Sequence, residues 1–321
     1  GGNASTTYPT QLQELLGDRY EVKNFGKCGA SLTRGSSYPY WNLSEFTASQ
    51  EYQPDVVIIM IGVNDAWDGQ WSNVKDRFES DYKDFVNVYK NLASQPIVYL
   101  TKVSGVSIAH HAVPEVNAII ERTANELNTQ LADMYTWEYN LPEEDKKTLF
   151  PDGLHPNENG YRLMAKQFRE QVFVPLQDST LRSISVDGVA LDDFDPAKTE
   201  YTIRLEKGAA MPVITAETTT GVARVEIPQP TVFQPVAKLT VTAGNPYCVQ
   251  NYILRVEMDE AADFTALDAA LEAYGKLAEA DYTSASWRVL QSLVDSAKAL
   301  DRDAMTAADQ SEIDALAADI K

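Results

Sequence analysis

The first half of the chain alternates between short apolar runs and longer stretches with helical spacing. Residues 56–61 and 97–100 are nearly continuous apolar runs, the pattern of strands buried on both faces of a parallel sheet. Between them, residues 73–92 place apolar side chains at helical spacing. Strands that alternate with helices predict a doubly wound α/β sheet. The same patterns predict helices at residues 11–16, 116–127 and 157–173 and strands at residues 20–25 and 131–135.

The pattern changes near residue 181 and again near residue 260. Between these points short segments alternate apolar and polar positions and are separated by turn residues, which predicts an antiparallel β-sandwich. The Ala-rich tail carries three amphipathic stripes, which predict a small three-helix bundle. We therefore expect three domains, at residues 1–179, 180–259 and 260–321.

Charge narrows the range of partners for this chain of 321 residues. Its formal net charge is −20, which argues against binding to nucleic acid or to anionic membrane surfaces, because both are polyanions. No run approaches the ~18 apolar residues that a membrane-spanning helix requires, so we expect no membrane insertion.

Cysteine and histidine are scarce. Cys28 and Cys248 are too far apart in sequence to suggest a disulfide framework or a paired-cysteine metal motif. The pair His110-His111 lies in a loop with Gly and Ser, where we expect an exposed pair or a lid rather than a metal site.

The segment at residues 150–157 is the most informative for chemistry. Asp152 precedes His155 by three residues in a turn shaped by Gly and Pro. A carboxylate at that spacing can hold the imidazole in one tautomer while the other ring nitrogen acts as a base. The alternative is that Asp152 caps the loop and His155 is a surface turn residue.

Two further segments could supply hydrogen-bond donors to an oxyanion. Asn64 and Asp65 follow the most apolar strand, at the sheet edge where open α/β sheets bind ligands. The Asn64 amide can donate to a developing oxyanion there, and a glycine-bracketed turn at residues 24–31 can present a backbone N–H. Taken alone, the Asn64-Asp65 segment is better explained as a turn that ends a strand, and the glycine turn is a weak pattern.

Together and in this order, these segments resemble the SGNH (GDSL-type) hydrolase superfamily over roughly residues 1–178. The blocks that carry the resemblance are Tyr8-Pro9-x-x-Leu12, Asn24-Phe25-Gly26-x-x-Gly29, Gly62-x-Asn64-Asp65 and Asp152-x-x-His155-Pro156. The resemblance implies a flavodoxin-like, three-layer α/β domain that hydrolyses acyl esters, often acetyl groups on carbohydrates, without a metal or other cofactor. It also implies that His155 is the base, that Asp152 orients it, and that Gly29 and Asn64 form the oxyanion hole.

The chain departs from the family pattern at its beginning. The family's nucleophile lies in a Gly-Asp-Ser motif at the end of the first strand, upstream of the Tyr8-Pro9 block. We therefore expect an N-terminally incomplete esterase that lacks its first strand and its nucleophilic serine. Ser5, Ser31 and Cys28 are less convincing substitutes.

Aromatic residues cluster near the blocks that carry the candidate oxyanion donors. Trp67 and Trp71 follow Asn64, and Tyr38, Tyr40 and Trp41 follow the glycine turn. They fit two roles equally well: walls that stack on a sugar substrate, or packing in the core.

The two later regions resemble modules of bacterial surface enzymes. Val186-x-Gly188 and Phe194-Asp195-Pro196-x-x-x-x-Tyr201 resemble cadherin-like β-sandwich repeats, and Asp281-Tyr282-Thr283-x-x-Ser286-Trp287 resembles a FIVAR three-helix module. These resemblances imply a secreted or cell-surface enzyme that acts on polysaccharide.

The leading hypothesis is therefore a carbohydrate esterase that acts on an acylated sugar or another small ester. Its C-terminal modules would contact polysaccharide or cell-surface components. The alternative is a non-catalytic surface protein that binds glycan through a degenerate hydrolase domain. Acyl transfer to a glycan acceptor would use the same triad.

Overall fold

The computed structural model describes residues 6–104 and 110–321, which form two compact units. The first unit takes in the described residues up to Thr180 together with Thr218–Arg224 and Val241–Gln250. The second takes in Leu181–Glu217, Val225–Thr240 and Asn251–Lys321. Two short segments beyond residue 180 thus belong to the first unit, and the division into three domains stays a prediction.

The first unit contains the predicted alternation of helices and strands. A π-helical turn at Arg169–Phe173 continues its last helix. Its elements are α1 (Tyr8–Leu16), α2 (Ser44–Glu51), β1 (Val56–Ile59), α3 (Asp68–Lys90), β2 (Ile97–Lys102), α4 (Val113–Glu126), β3 (Gln130–Asp133), α5 (Met134–Tyr139), α6 (Glu143–Leu149) and α7 (Glu158–Phe168).

The three strands form a parallel sheet in the order β1-β2-β3. Val56 lies opposite Ile97 at the start of the first pairing, and Tyr99 lies opposite Gln130 at the start of the second. Because the strands are parallel, the loops that follow β1 and β2 leave from the same edge of the sheet.

Both faces of this sheet are covered by helices, which gives three layers. Ile59, Val98 and Leu100 pack with the buried side chains of α3 and α4. Tyr99 and Ala132 face the other way and pack with α1 and α7. The alternation follows from the period-two geometry of a strand, and it explains why the strands read as continuous apolar runs.

The prediction of a strand at residues 20–25 is wrong. This segment is not part of any sheet, although Tyr20 has an extended backbone. Within the described residues, β1 is an edge strand, and it shares with residues 19–30 the lining of a cavity of about 1550 Å³. A strand needs a neighbouring backbone to pair with its N–H and C=O groups. Residues 20–25 do not pair with β1, because the cavity lies between them.

The segment from residue 181 to residue 258 forms two sheets, ordered β6-β10-β9-β8 and β5-β4-β7. The strands are β4 (Leu181–Val186), β5 (Val189–Ala190), β6 (Glu200–Leu205), β7 (Ile214–Thr218), β8 (Arg224–Glu226), β9 (Val236–Thr242) and β10 (Val249–Met258). The expectation of purely antiparallel pairing is wrong, because β10 pairs with β6 in parallel from Ile253 opposite Glu200 to Met258 opposite Leu205. Parallel neighbours cannot be joined by a hairpin, so the chain passes through the other strands between them. The resemblance to cadherin-like repeats stays a prediction.

The tail consists of α8 (Thr265–Tyr274), α9 (Ser284–Lys298) and α10 (Gln310–Ile320). Leu267, Val294, Ile313 and Ile320 are buried together in one apolar cluster of these helices. Thr283 caps α9 by accepting a hydrogen bond from the backbone N–H of Ser286. None of the helices in the described residues has the length and apolar character needed to cross a bilayer. The resemblance to a FIVAR module stays a prediction.

Candidate active site

Asp152 and His155 lie in the loop between α6 and α7, and they form a closely bonded pair. Oδ1 of Asp152 accepts hydrogen bonds from the backbone N–H groups of Leu154, at 3.0 Å, and of His155, at 2.7 Å. Its Oδ2 lies 2.8 Å from Nδ1 of His155. An ionised carboxylate can only accept, so Nδ1 carries a proton and Nε2 of the neutral ring is left as an acceptor.

The loop that carries this pair is fixed at both ends. Gly153 has φ +76°, a conformation that favours glycine. Asn157 caps α7 by accepting the N–H of Gly160, and its Nδ2 donates to the carbonyl of Thr148 at the end of α6. The predicted pairing of acid and base is thus held by local backbone contacts.

The candidate oxyanion turn lies beside the end of β1. Gly29 has φ +79° and an exposed backbone, and the next residue, Ala30, accepts a 2.8 Å hydrogen bond from Nδ2 of Asn64. The amide of Asn64 has two N–H groups, so one remains for an oxyanion. Asn64 and Gly29 are therefore adjacent, as the sequence predicted for two donors to one oxyanion.

Asp65 is the residue that fixes this turn, and the sequence reasoning assigned it no role. Its carboxylate is 0% exposed and accepts hydrogen bonds from the backbone N–H groups of Leu32, at 2.7 Å, and Thr33, at 2.9 Å, and from the Thr33 hydroxyl, at 2.7 Å. Burial raises the pKa of Asp65, although these hydrogen bonds oppose the shift. The only signal in the sequence was its place directly after Asn64.

One cavity brings the predicted residues together. Gly29, Asn64 and His155 all line the cavity of about 1550 Å³ that runs along β1. Asp152 is not part of the lining but is hydrogen-bonded to His155. Every residue of the lining belongs to the first compact unit. An acid–base pair and two hydrogen-bond donors at one cavity can carry out acyl transfer if a nucleophile lies between them.

Two of the predicted sugar-stacking residues, Trp71 and Trp41, make packing contacts with the protein. Trp71 is 9% exposed, and its indole N–H donates to Glu115 at 2.9 Å. Trp41 donates its indole N–H to the carbonyl of Leu32, and the guanidinium of Arg34 lies 3.8 Å from the centre of its ring. Trp71 is buried, so the stacking role is wrong for it, whereas Trp41 is only partly buried and its role in stacking stays a prediction.

Tyr38 and Trp67 keep exposed rings, and their role in substrate binding stays a prediction. Tyr38 is 39% exposed, and a Cβ atom placed on Gly29 would lie 4.0 Å from its ring. Trp67 is 49% exposed and covers Gly69 at the start of α3. Tyr40 is buried, and its hydroxyl donates to the carbonyl of Phe25.

Among the described residues, neither Ser31 nor Cys28 is hydrogen-bonded to a base. Ser31 is buried and its Oγ accepts a hydrogen bond from Gln70, and no hydrogen bond joins this hydroxyl to a histidine that could take its proton. Cys28 is an exposed, unbridged cysteine next to Gly29. Ser5 lies outside the described residues.

The two other histidines differ from each other. His111 is exposed and pairs through Nδ1 with Asp68 at 2.8 Å. His110 is buried, so the prediction of an exposed pair is wrong for it, and burial lowers its pKa. No three His, Cys, Asp or Glu side chains of the described ranges are grouped so that they could hold a metal ion.

The fold is a three-layer α/β domain, and an Asp–His pair and two candidate oxyanion donors meet at one cavity. The sequence profile of the GDSL-like lipase/acylhydrolase family matches residues 1–163. The chain belongs to this family.

Two curated relatives carry esterase names. An acetylxylan esterase of Xylanibacter ruminicola is 27% identical in an alignment of 183 residues that covers 50% of this chain and 37% of that protein. A multidomain esterase of Ruminococcus flavefaciens is 25% identical in an alignment of 131 residues that covers 38% of this chain and 16% of that protein. The chain thus spans well under half the length of either relative. The crystal structure of an acetyl xylan esterase, AlAXEase, is 24% identical, with a TM-score of 0.44, over 52% of this chain and 91% of that one.

The packing around Gly160 gives a prediction about the loop of Asp152 and His155. A Cβ atom at Gly160 would lie 2.9 Å from the carbonyl oxygen of Leu149 and 2.9 Å from Cβ of Pro156. We expect Gly160→Ala to lower the free energy of unfolding by about 1–3 kcal/mol, because the backbone must shift. Urea denaturation measures this, with Gly35→Ala as the control, since a Cβ at Gly35 meets nothing within 4 Å. Equal stability of the two variants would contradict the tight packing.

The second prediction concerns the titration of Asp152. The backbone N–H of His155, and after it the imidazole, hold the pKa of this carboxyl well below its usual range. A lowered pKa means that the pair is intact above the ordinary Asp pKa of about 3.9 and is lost only in stronger acid. We expect ¹³C NMR to place the midpoint below 3.9, and His155→Ala to raise it only partly, because the backbone N–H groups remain. An unchanged midpoint in that variant would mean that the imidazole does not bind the carboxylate.

Proposed function

We propose that the protein is a serine esterase of the GDSL type that removes acyl groups, most simply acetyl groups, from carbohydrate. The observation that carries this proposal is the meeting of His155, Asn64 and Gly29 at one cavity, with Asp152 bonded to His155. The names of the curated relatives, an acetylxylan esterase and a multidomain esterase, support the substrate class.

In this proposal each site residue has a defined part in the reaction. Nε2 of His155 takes the proton of a serine hydroxyl as the oxygen attacks the ester carbonyl carbon. The resulting oxyanion accepts hydrogen bonds from the second amide N–H of Asn64 and from the backbone N–H of Gly29. His155 then gives the proton to the leaving sugar oxygen, and water releases the acyl group from the serine by the same route. Asp152 stabilises the imidazolium throughout.

The nucleophile, in this proposal, lies on a strand that fills the cavity beside β1. Only Asp152 contacts the ring of His155 among the hydrogen bonds and ion pairs of the described residues. The cavity is lined by residues 19–30 on one side and by β1 on the other, and His155, Asn64 and Gly29 lie in the same lining. A strand placed there would pair with β1 and end at the site. Each buried backbone group that it satisfies is worth roughly 1–3 kcal/mol.

The third prediction tests the roles of His155 and Asn64 in a form that carries a Gly-Asp-Ser strand before Gly1. We expect His155→Ala to lower the kcat for an aryl acetate by several orders of magnitude. Asn64→Ala should lower it roughly 10²–10³-fold, because one oxyanion donor is lost.

The matched control is His111→Ala. His111 pairs with Asp68 at 2.8 Å, as His155 pairs with Asp152, but it does not line the cavity. We expect this variant to keep parent activity. Equal losses in the two histidine variants would contradict the assignment of His155 as the base. Release of acetate from acetylated xylo-oligosaccharides, measured beside the aryl acetate, tests the substrate class.

The fourth prediction concerns the proposed strand. Residues 1–321 alone should lack esterase activity and aggregate readily, because the edge of β1 and its cavity remain open. Adding an upstream segment that ends in Gly-Asp-Ser should restore both solubility and activity, whereas the same segment with Ser→Ala should restore solubility only. Esterase activity of residues 1–321 that disappears in Ser31→Ala or Cys28→Ala would instead identify a relocated nucleophile.

The form completed with the Gly-Asp-Ser strand also distinguishes an esterase from a non-catalytic glycan-binding protein and from an acyltransferase. A soluble, completed protein that binds acetylated glycan without hydrolysing it would be a surface glycan-binding protein. Acylated product in excess of free acetate, when a sugar acceptor is supplied, would indicate acyl transfer.

We propose further that the enzyme works outside the cell or at the cell surface, with the regions after residue 180 in contact with polysaccharide. The support is the resemblance of those regions to cadherin-like and FIVAR modules. Pull-down on insoluble xylan of the form that carries the Gly-Asp-Ser strand, with and without residues 260–321, tests the contact. Equal binding of the two forms would exclude a role for the helical region.

A further inference from the structure

Gln70, in the first turn of α3, links the two segments that carry the candidate oxyanion donors. The side chain is buried, with 8% of the residue exposed. Its Nε2 donates to Oγ of Ser31 at 2.9 Å and to the backbone carbonyl of Asn64 at 3.0 Å. Its Oε1 accepts from both the backbone N–H, at 3.2 Å, and the hydroxyl, at 3.0 Å, of Ser37. A primary amide has two donors and two acceptor sites, so all of its capacity is used.

These contacts fix both donors without touching the cavity. Ser31 lies two residues after Gly29, and its backbone is bonded to Tyr38 and Tyr40. The bond to the Asn64 carbonyl fixes the peptide from which the Asn64 side chain projects. Gln70 itself does not line the cavity, so any effect on the reaction must pass through these neighbours.

Gln171 shows how a glutamine can serve stability alone. It accepts from the backbone N–H of Asp133 and donates to the carbonyl of the same residue, and so joins one residue of β3 to the turn after α7. Gln70 instead joins three separate segments, two of which carry a predicted oxyanion donor. Gln70 therefore contributes to the relative position of Gly29 and Asn64, in addition to the bond from Asn64 to Ala30 and the contacts of Asp65 with Leu32 and Thr33.

We propose that Gln70 is a positioning residue that holds the Gly29 turn and Asn64 at the separation that one oxyanion requires. Its kinetic part rests on the proposed esterase function. Loss of this amide leaves the Ser31 and Ser37 side chains and the Asn64 carbonyl without this partner. The bond from Asn64 to Ala30 and the contacts of Asp65 remain, so the two donors stay linked but their separation is held less tightly.

The fifth prediction compares Gln70→Leu with Gln171→Leu in the form that carries the Gly-Asp-Ser strand. Both changes remove hydrogen bonds that are buried or partly buried, so both should lower the melting temperature. Only Gln70→Leu should lower kcat, by about 10- to 100-fold, with little change in KM, because a small displacement of the donors weakens transition-state binding. Equal kcat values in the two variants would show that Gln70 is structural only.

A double-mutant cycle with Asn64→Ala identifies the route of the effect. If Gln70 acts through Asn64, Gln70→Leu should cost much less in the Asn64→Ala background than in the parent. Fully multiplicative losses would overturn the proposal.

A measurement without turnover separates this inference from the proposed function. The ¹⁵N–¹H resonances of the Gly29 backbone and the Asn64 side chain should shift in Gln70→Leu and stay in place in Gln171→Leu. If no form of the protein hydrolyses esters but these resonances move, the esterase proposal fails and the positioning role stands. If they do not move, the positioning role fails whatever the activity.

Discussion

The buried carboxylate of Asp65 is the interaction on which the candidate site depends. It lies at the end of the loop that follows β1 and binds two backbone N–H groups and one hydroxyl of the turn at Leu32 and Thr33. A fully buried carboxylate without such partners would be costly, and the raised pKa of Asp65 reflects that burial. With these partners it joins the end of the first strand to the glycine turn. Both donor segments then move as one piece.

The acid–base pair of Asp152 and His155 depends on contacts between residues that are close in sequence. Asp152 and His155 are three residues apart, and all the contacts that set their geometry are made within the same loop or to the helices on either side of it. This pair can form without help from the rest of the sheet. The oxyanion side cannot, because Asn64 and Ala30 are 34 positions apart and meet only after the sheet has folded.

The parallel sheet brings these two parts to one cavity. The loop after β1 leaves from the edge at which open α/β sheets bind ligands, and the loop that carries His155 lines the same cavity. The same cavity continues along β1, where a strand would find unpaired backbone groups. The site and the open edge of the sheet are therefore parts of one structural feature, and a segment that closed the edge would also reach the site.

Sequence alone determined the features that depend on local periodicity and short spacing. The apolar runs gave the strands of the parallel sheet, helical spacing gave α3 and α4, and the three-residue spacing of Asp152 and His155 gave a bonded pair. These features can be predicted locally, because a strand buried on both faces, a helix with one apolar face and a tight turn each produce a characteristic residue pattern over a short segment.

Tertiary structure decided everything that depends on a partner distant in sequence. The segment at residues 20–25 has the composition of a strand but has no neighbour with which to pair, and β10 found β6 as a parallel neighbour instead of an antiparallel one. Trp71 has the appearance of a sugar-stacking residue but is buried against α4. The contacts of Asp65 and Gln70 with the residues near the glycine turn were hidden because those residues lie 32 to 39 positions away. A hydrogen bond over that separation follows from the packing of the fold, not from any local pattern.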